Sequence, residues 1–133
     1  MTASSYAVDL AARLIRCQSV TPAEGGALTL LAQELGALGF ECVWLPFGEG
    51  LDRIENLFAR RGQDGPHFAF AGHTDVVTVG DVSAWRHAPF SGAQEDGNLF
   101  GRGAADMKGG IAAFVAAVRQ FVDSNPSGSI SLI

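Results

Sequence analysis

The sequence predicts an α/β layered domain in which helices flank a mixed sheet. Three observations carry that expectation. Helical apolar stripes alternate with short β-rich runs, an apolar run at 67–71 leads directly into Gly72-His73, and a helix rich in alanine follows the glycine loop that ends at Asp106. The 133 residues suit one domain with a modest core, and 47% apolar against 17% charged residues is enough burial for a globular fold. A net charge of −5 argues against a nucleic-acid partner, which would need a basic face.

The first helix starts from a cap at Ser4 or Ser5 and buries Ala7, Leu10, Ala11, Leu14 and Ile15. Ser19-Val20-Thr21-Pro22 breaks it, because the residue before proline avoids helical angles, and Gly25-Gly26 extends the break. A second helix carries Leu28, Leu31, Ala32, Leu35 and Leu38 on one stripe and ends at Gly39, where a left-handed conformation is cheap. Residues 40–45 and 54–60 read as strands. The run 67–71 reads as a central strand buried on both faces. Residues 78–98 read mostly as loop, with Trp85, Pro89 and Phe90 packing it onto the domain, and Leu99-Phe100 is a short apolar step. From Met107 a helix presents Ile111, Phe114, Val115, Val118 and Phe121, and Asn125-Pro126-Ser127-Gly128 ends it. Residues 130–133 start a further strand. A chain that stops in mid-strand reads as a fragment of a larger domain.

Cys17 and Cys42 lie in apolar-periodic stretches without zinc-ligand spacing and read as buried thiols of a reducing compartment. The N-terminus lacks a signal-peptide pattern and no apolar run spans a bilayer, so a cytoplasmic location without membrane contact is expected.

Two motifs carry chemistry. Gly72-His73-Thr74-Asp75-Val76-Val77 places an imidazole at a strand end, with a carboxylate two residues on that faces the same side if the backbone stays extended. Asp75 is then positioned to take the second ring N–H of a metal-binding His73 and fix its tautomer. The plain alternative is an ordinary polar loop. Gly101-Arg102-Gly103-Ala104-Ala105-Asp106-Met107-Lys108-Gly109-Gly110 places a carboxylate just before a helix. There Asp106 either caps the helix or bridges two cations held about 3.5–4 Å apart. Lys108 reads as a solvated lysine of the first helical turn. Arg102 has Asp75, Asp81 or a substrate carboxylate as possible partners, and His67 and His87 read as structural or exposed.

Together with Gly80-Asp81, Trp85 and Pro89-Phe90, these motifs resemble the metal-dependent peptidase and amidohydrolase family that includes carboxypeptidases, amino-acid deacetylases, desuccinylases and aminoacylases. The resemblance spans nearly the whole chain and implies a three-layer α/β/α zinc-peptidase-like catalytic domain. Residues 1–133 would be its N-terminal portion, without the lid domain through which the family dimerises. It implies two zinc ions (cobalt as a substitute), with His73 and Asp106 as metal ligands and Asp75 as the catalytic group that orients His73. The glutamate pair that supplies the general base and a further ligand has no match. Ala104-Ala105 before Asp106-Met107-Lys108-Gly109, with Leu14-Ile15-Arg16 and Ser19-Val20-Thr21-Pro22, resembles the branch that removes succinyl groups from amino-acid substrates in lysine and diaminopimelate biosynthesis. The alternatives are a deacetylase or peptidase of the same family, or a non-catalytic fragment that self-associates through its sheet edge. The resemblance also implies that the fragment alone is inactive and holds metal weakly.

Overall fold

The computed structural model describes residues 2–124 and 127–133. Helix α1 (Ala3–Arg16) is capped by Thr2, whose side chain accepts from the Ser5 amide, two to three residues before the serines that the sequence suggests. Helix α2 (Ala27–Ala37) ends at Leu38 and Gly39, the latter at φ +82° as expected of a left-handed terminator. Strands β1 (Glu41–Trp44), β2 (Leu57–Arg61) and β3 (His67–Phe70) follow. The segment expected to be loop contains a short 3₁₀ turn, Val82–Ala84, and a hairpin of β4 (Ala93–Glu95) and β5 (Asn98–Phe100). A wide turn, Ala104–Lys108, leads into α3 (Gly109–Asp123), and β6 (Ser129–Leu132) completes the elements. Of the expected helix stop, Asn125 and Pro126 lie outside the described residues.

The main sheet has the order β1-β2-β6-β3. β2 is antiparallel to both β1 and β6, and β3 is parallel to β6, so the sheet is mixed as expected. β3 is not the central strand that its apolar run suggested. Among the described residues it lies at the edge, with His67, Phe68 and Ala69 exposed and Phe68 at 60%. Periodicity cannot distinguish an edge from a centre when one face of the run meets a helix: Phe70 stacks on Phe114 of α3 at 4.3 Å, which accounts for the aromatics.

Registered partners define the two faces. Cys42, Ala59, Leu132 and Phe70 share one face, which the helices cover, with the Cys42 thiol donating to the Ala32 carbonyl of α2 at 3.7 Å. The other face carries Val43, Phe58, Arg60, His67, Ala69, Ser129 and Ser131. There the His67 ring bridges Ser129 Oγ at 2.7 Å and Ser131 Oγ at 3.0 Å, the structural role expected of it. The described residues therefore contribute one helical layer and the sheet.

Leu10, Leu14, Leu31, Leu35, Ile111, Val115, Leu57, Ala59 and Leu132 form one continuous core. α1 packs along α3 and is tied to α2 by a polar cluster. Glu34 accepts from the Tyr6 hydroxyl at 2.6 Å and from Arg13 at 2.7 Å, and the Arg119 guanidinium lies 4.8 Å from the centre of the Tyr6 ring. Burial, reinforced by Glu34, pushes the Tyr6 hydroxyl up to about 12. Burial also pushes the Glu34 carboxyl up, but hydrogen bonds from Tyr6 and Arg13 and the nearby positive charges outweigh it, leaving the group below its ordinary value of 4.5.

A carboxyl depressed by folding contributes stability above its unfolded value and loses that contribution as pH falls through its folded value. Urea midpoints of the wild type are therefore expected to fall as the pH drops below 4.5. Glu34→Gln loses about 1–2 kcal/mol at neutral pH and flattens the acid limb. Identical acid limbs for the two proteins would remove Glu34 from the account. Burial raises both thiols, Cys17 and Cys42, which are free and half-buried, so neither is an activated nucleophile.

Candidate metal centre

β3 delivers His73. The Gly72 amide donates to the Ile133 carbonyl at 2.9 Å and the Ile133 amide to Phe70 at 3.0 Å, extending the β3–β6 ladder to the residue before the imidazole. Beyond it, the Val76 amide donates to Ser19 and the Thr21 amide to Val76, while the buried Ser19 hydroxyl donates to the Thr74 carbonyl at 2.7 Å. The segment read only as a helix breaker thus holds the histidine loop.

Asp106 comes from the opposite wall. The Arg102 amide donates to the Pro89 carbonyl at 2.7 Å and the Lys108 amide to Gly103 at 2.9 Å. Gly103 has φ +81°, and a side chain there would meet Val76 Cγ1 at 2.7 Å. The Asp106 backbone is extended, at φ −129° and ψ 97°, and the Asp106–Met107 peptide is cis. α3 has Lys108 as its N-cap and no side-chain cap, so the helix-capping alternative for Asp106 is not realised.

Lys108 corrects the expectation of a solvated lysine. Its side chain is fully buried, at 0% exposure, and its ammonium donates to the Cys17 carbonyl at 2.8 Å. Burial pushes its pKa down. The wide turn rotates this residue inward, an orientation a regular helix from Met107 would not give. Ser19 and Lys108 are the positioning residues that sequence reasoning missed. Residues 17–21 grip both walls at once, and the only sequence signal was an isolated serine between two cores.

The outcome is a close approach of the two predicted side chains. His73 Nε2 lies 2.9 Å from Asp106 Oδ1. Asp75 contributes chiefly through its backbone: His73 Nδ1 is 3.1 Å from the Asp75 carbonyl oxygen and 3.4 Å from its carboxylate. The carbonyl contact raises the His73 pKa most; burial opposes it, and the Asp106 carboxylate and the charges of both acids tip the balance upward. Both ring nitrogens therefore face acceptors. A neutral imidazole has one N–H, so one of the two contacts requires a positive species, a proton or a bound cation, between nitrogen and oxygen. The Asp106 carboxylate is 85% exposed and free to accept further bonds.

His73, Asp75, Arg102 and Asp106 line one cleft of about 290 Å³. Arg102 pairs with neither Asp75 nor Asp81. It donates to the Thr78 carbonyl at 3.3 Å and stands 5.1 Å from the Trp85 ring centre. Asp81 instead caps the Val82–Ala84 turn, and His87 pairs with Glu95 at 3.0 Å. No helix of the described residues is long and apolar enough to cross a membrane.

This fold and pair of motifs define a class. Residues 69–133 match Peptidase family M20/M25/M40. The chain is homologous to succinyl-diaminopimelate desuccinylases. It is 58% identical to that of Rhodospirillum centenum over 129 residues, covering 95% of this chain and 33% of the relative. It is 56% identical to that of Gluconacetobacter diazotrophicus, covering 98% and 34%. The chain thus spans about a third of the length of these relatives. Human carnosine dipeptidase 1 shares the fold at a TM-score of 0.83 and 24% identity, over 96% of this chain and 31% of that one.

Proposed function

We propose that residues 1–133 are the N-terminal portion of the catalytic domain of a metal-dependent amide hydrolase. It removes succinate from N-succinyl-LL-2,6-diaminopimelate, with His73 and Asp106 as metal ligands. One observation carries the reading: an imidazole nitrogen and a carboxylate oxygen meet at 2.9 Å at the end of a β-strand, an arrangement that calls for a positive species between them. The names of the relatives supply the substrate.

The residues fit part of a zinc centre. A nitrogen and an oxygen donor suit zinc, and cobalt takes the same set. Among the described residues, no group of three or more His, Cys, Asp or Glu gathers to hold an ion. A catalytic zinc takes about three protein ligands, so this chain offers two of them and binds the ion weakly. When bound, such an ion makes water available as hydroxide near neutral pH and offsets the charge that builds on an amide oxygen. Asp75 holds Nδ1 through its carbonyl, which leaves the Nε2 lone pair for the cation. The exposed Asp106 carboxylate has a second oxygen for a second cation.

Zinc titration of the purified chain by calorimetry tests the ligands. Weak uptake is expected, lost in both His73→Ala and Asp106→Ala, with no hydrolysis of the succinylated substrate. Uptake unchanged in both variants overturns the assignment. The activity is tested by grafting the chain onto the remaining two-thirds of the R. centenum relative. That chimera is expected to hydrolyse N-succinyl-LL-2,6-diaminopimelate in preference to N-acetylornithine and to fall silent with His73→Ala. A preference for acetylornithine would assign the chain to the deacetylases instead.

A further inference from the structure

We infer that Arg102 is a positioning residue for the His73–Asp106 pair, a brace on the solvent side of the cleft that sets how closely the two side chains approach. The inference rests on the reading of that pair as metal ligands. Its starting point is a conflict of charge. Arg102 lines the cleft with His73, Asp75 and Asp106, and a fixed positive charge there opposes the binding of a cation. It meets no carboxylate among the described residues, whereas Arg13, Arg53 and Arg86 each meet one, at Glu34, Glu55 and Glu95. Something other than its charge therefore accounts for its place.

The contacts of Arg102 supply that account, because three segments of the cleft wall meet at this residue. Its terminal nitrogen donates to the Thr78 carbonyl at 3.3 Å, on the loop that continues from His73. Its main-chain amide donates to the Pro89 carbonyl at 2.7 Å. Its guanidinium lies 5.1 Å from the centre of the Trp85 ring, and the Trp85 indole N–H donates to the Val79 carbonyl at 2.9 Å. Residues 78–79 and 85–89 are thus drawn onto the segment that runs into Asp106. Residues 17–21 join the same two walls on the buried side, where Ser19 and Lys108 are both at 0% exposure. The cleft is tied on both sides, and between the ties His73 Nε2 meets Asp106 Oδ1.

The span asks for a long stem, a flat cationic face for the indole and a donor beyond it, a combination that guanidinium has and ammonium lacks. The arrangement costs stability, since Arg102 Nε is buried and finds no acceptor among the described residues. Methionine keeps a stem against Trp85 and removes that cost. Arg102→Met is therefore expected to unfold in urea close to the wild-type midpoint while the two ligands drift apart.

The test is NMR of the His73 imidazole in the purified chain, first metal-free and then through a zinc titration. Charge and position predict opposite signs. Loss of a positive charge alone would tighten zinc binding in Arg102→Met. Loss of a brace weakens it, by about three- to tenfold for the net contribution of one hydrogen bond, and moves the metal-free His73 resonances toward those of Asp106→Ala. Arg102→Lys keeps the charge and a donor without the flat fork, and its affinity should fall between. Trp85→Phe keeps an aromatic face, loses the tie to Val79 and changes no charge, so it should move both readouts the same way by less. Zinc affinity in Arg102→Met equal to or tighter than wild type overturns the inference, as do metal-free His73 resonances that stay in place. Should that variant fail to fold, Trp85→Phe decides: unchanged readouts overturn the brace, and shifted ones support it. A wild type that takes up no zinc sinks the metal assignment, and the metal-free resonances still judge the brace.

Discussion

Gly103→Ala is expected to destabilise the chain by about 3 kcal/mol, the sum of a left-handed residue at about 1–2 kcal/mol and overpacking at about 1–3 kcal/mol. It is also expected to part His73 from Asp106. At φ +81° any Cβ is strained, and here it meets Val76 Cγ1 at 2.7 Å and Lys108 Cδ at 3.3 Å. Val76 has little freedom to retreat. It is 5% exposed, its amide donates to Ser19, and its carbonyl accepts from Thr21. The strain therefore falls on the Asp106 turn, whose backbone Gly103 holds through the Lys108 amide. Urea denaturation reads the first effect. The imidazole NMR shifts of His73 read the second, and should move toward those of Asp106→Ala. A midpoint within error of wild type would show that the turn is looser than described.

Lys108→Ala and Lys108→Met are expected to diverge widely. Lys108 is the largest of the fully buried side chains, so truncation to alanine opens a cavity and costs about 3 kcal/mol. Methionine refills most of that volume, and the Cys17 carbonyl keeps a partner because the Ser19 amide also donates to it at 2.9 Å. Removing a buried amine with a single acceptor relieves desolvation as well, so Lys108→Met stays within about 1 kcal/mol of wild type. Zinc uptake separates packing from positioning: if the Lys108–Cys17 tie places Asp106, the methionine variant keeps its stability and loses zinc affinity. Equal stability losses for the two variants would mean that the hydrogen bond, not the volume, holds this region.

Short-range signals in the sequence encode much of this fold. The apolar stripe of α2, its glycine stop and the helical face of Ile111, Val115 and Val118 are patterns with a period, and all three recur in the structure. His73 and Asp106 were legible as chemistry-bearing residues because each interrupts an apolar or glycine-rich context. What joins them was not legible. The grip of residues 17–21 on both walls depends on contacts across 55 positions, from Ser19 to Thr74, and 91, from Lys108 to Cys17. The edge position of β3 and the burial of Lys108 depend on which neighbour a strand or turn finally meets. Local propensity is blind to that choice. The sequence points to the carboxylate of Asp75, whereas the closer contact comes from its main chain, which no side-chain inventory reveals.

One feature of the sheet bears on how the chain comes to be folded. β6 lies between β2 and β3 yet is the last of the three to be synthesised. Until it arrives, β2 has only β1 beside it and β3 has no strand partner among the described residues. The site loops and α3 must be made and kept out of the way first, which marks this as a slow, non-local closure during which bare strand edges can find the wrong chain. A ribosome that pauses late, or a chaperone that shields the waiting hairpin, would raise the yield of native protein more than any improvement to the early helices.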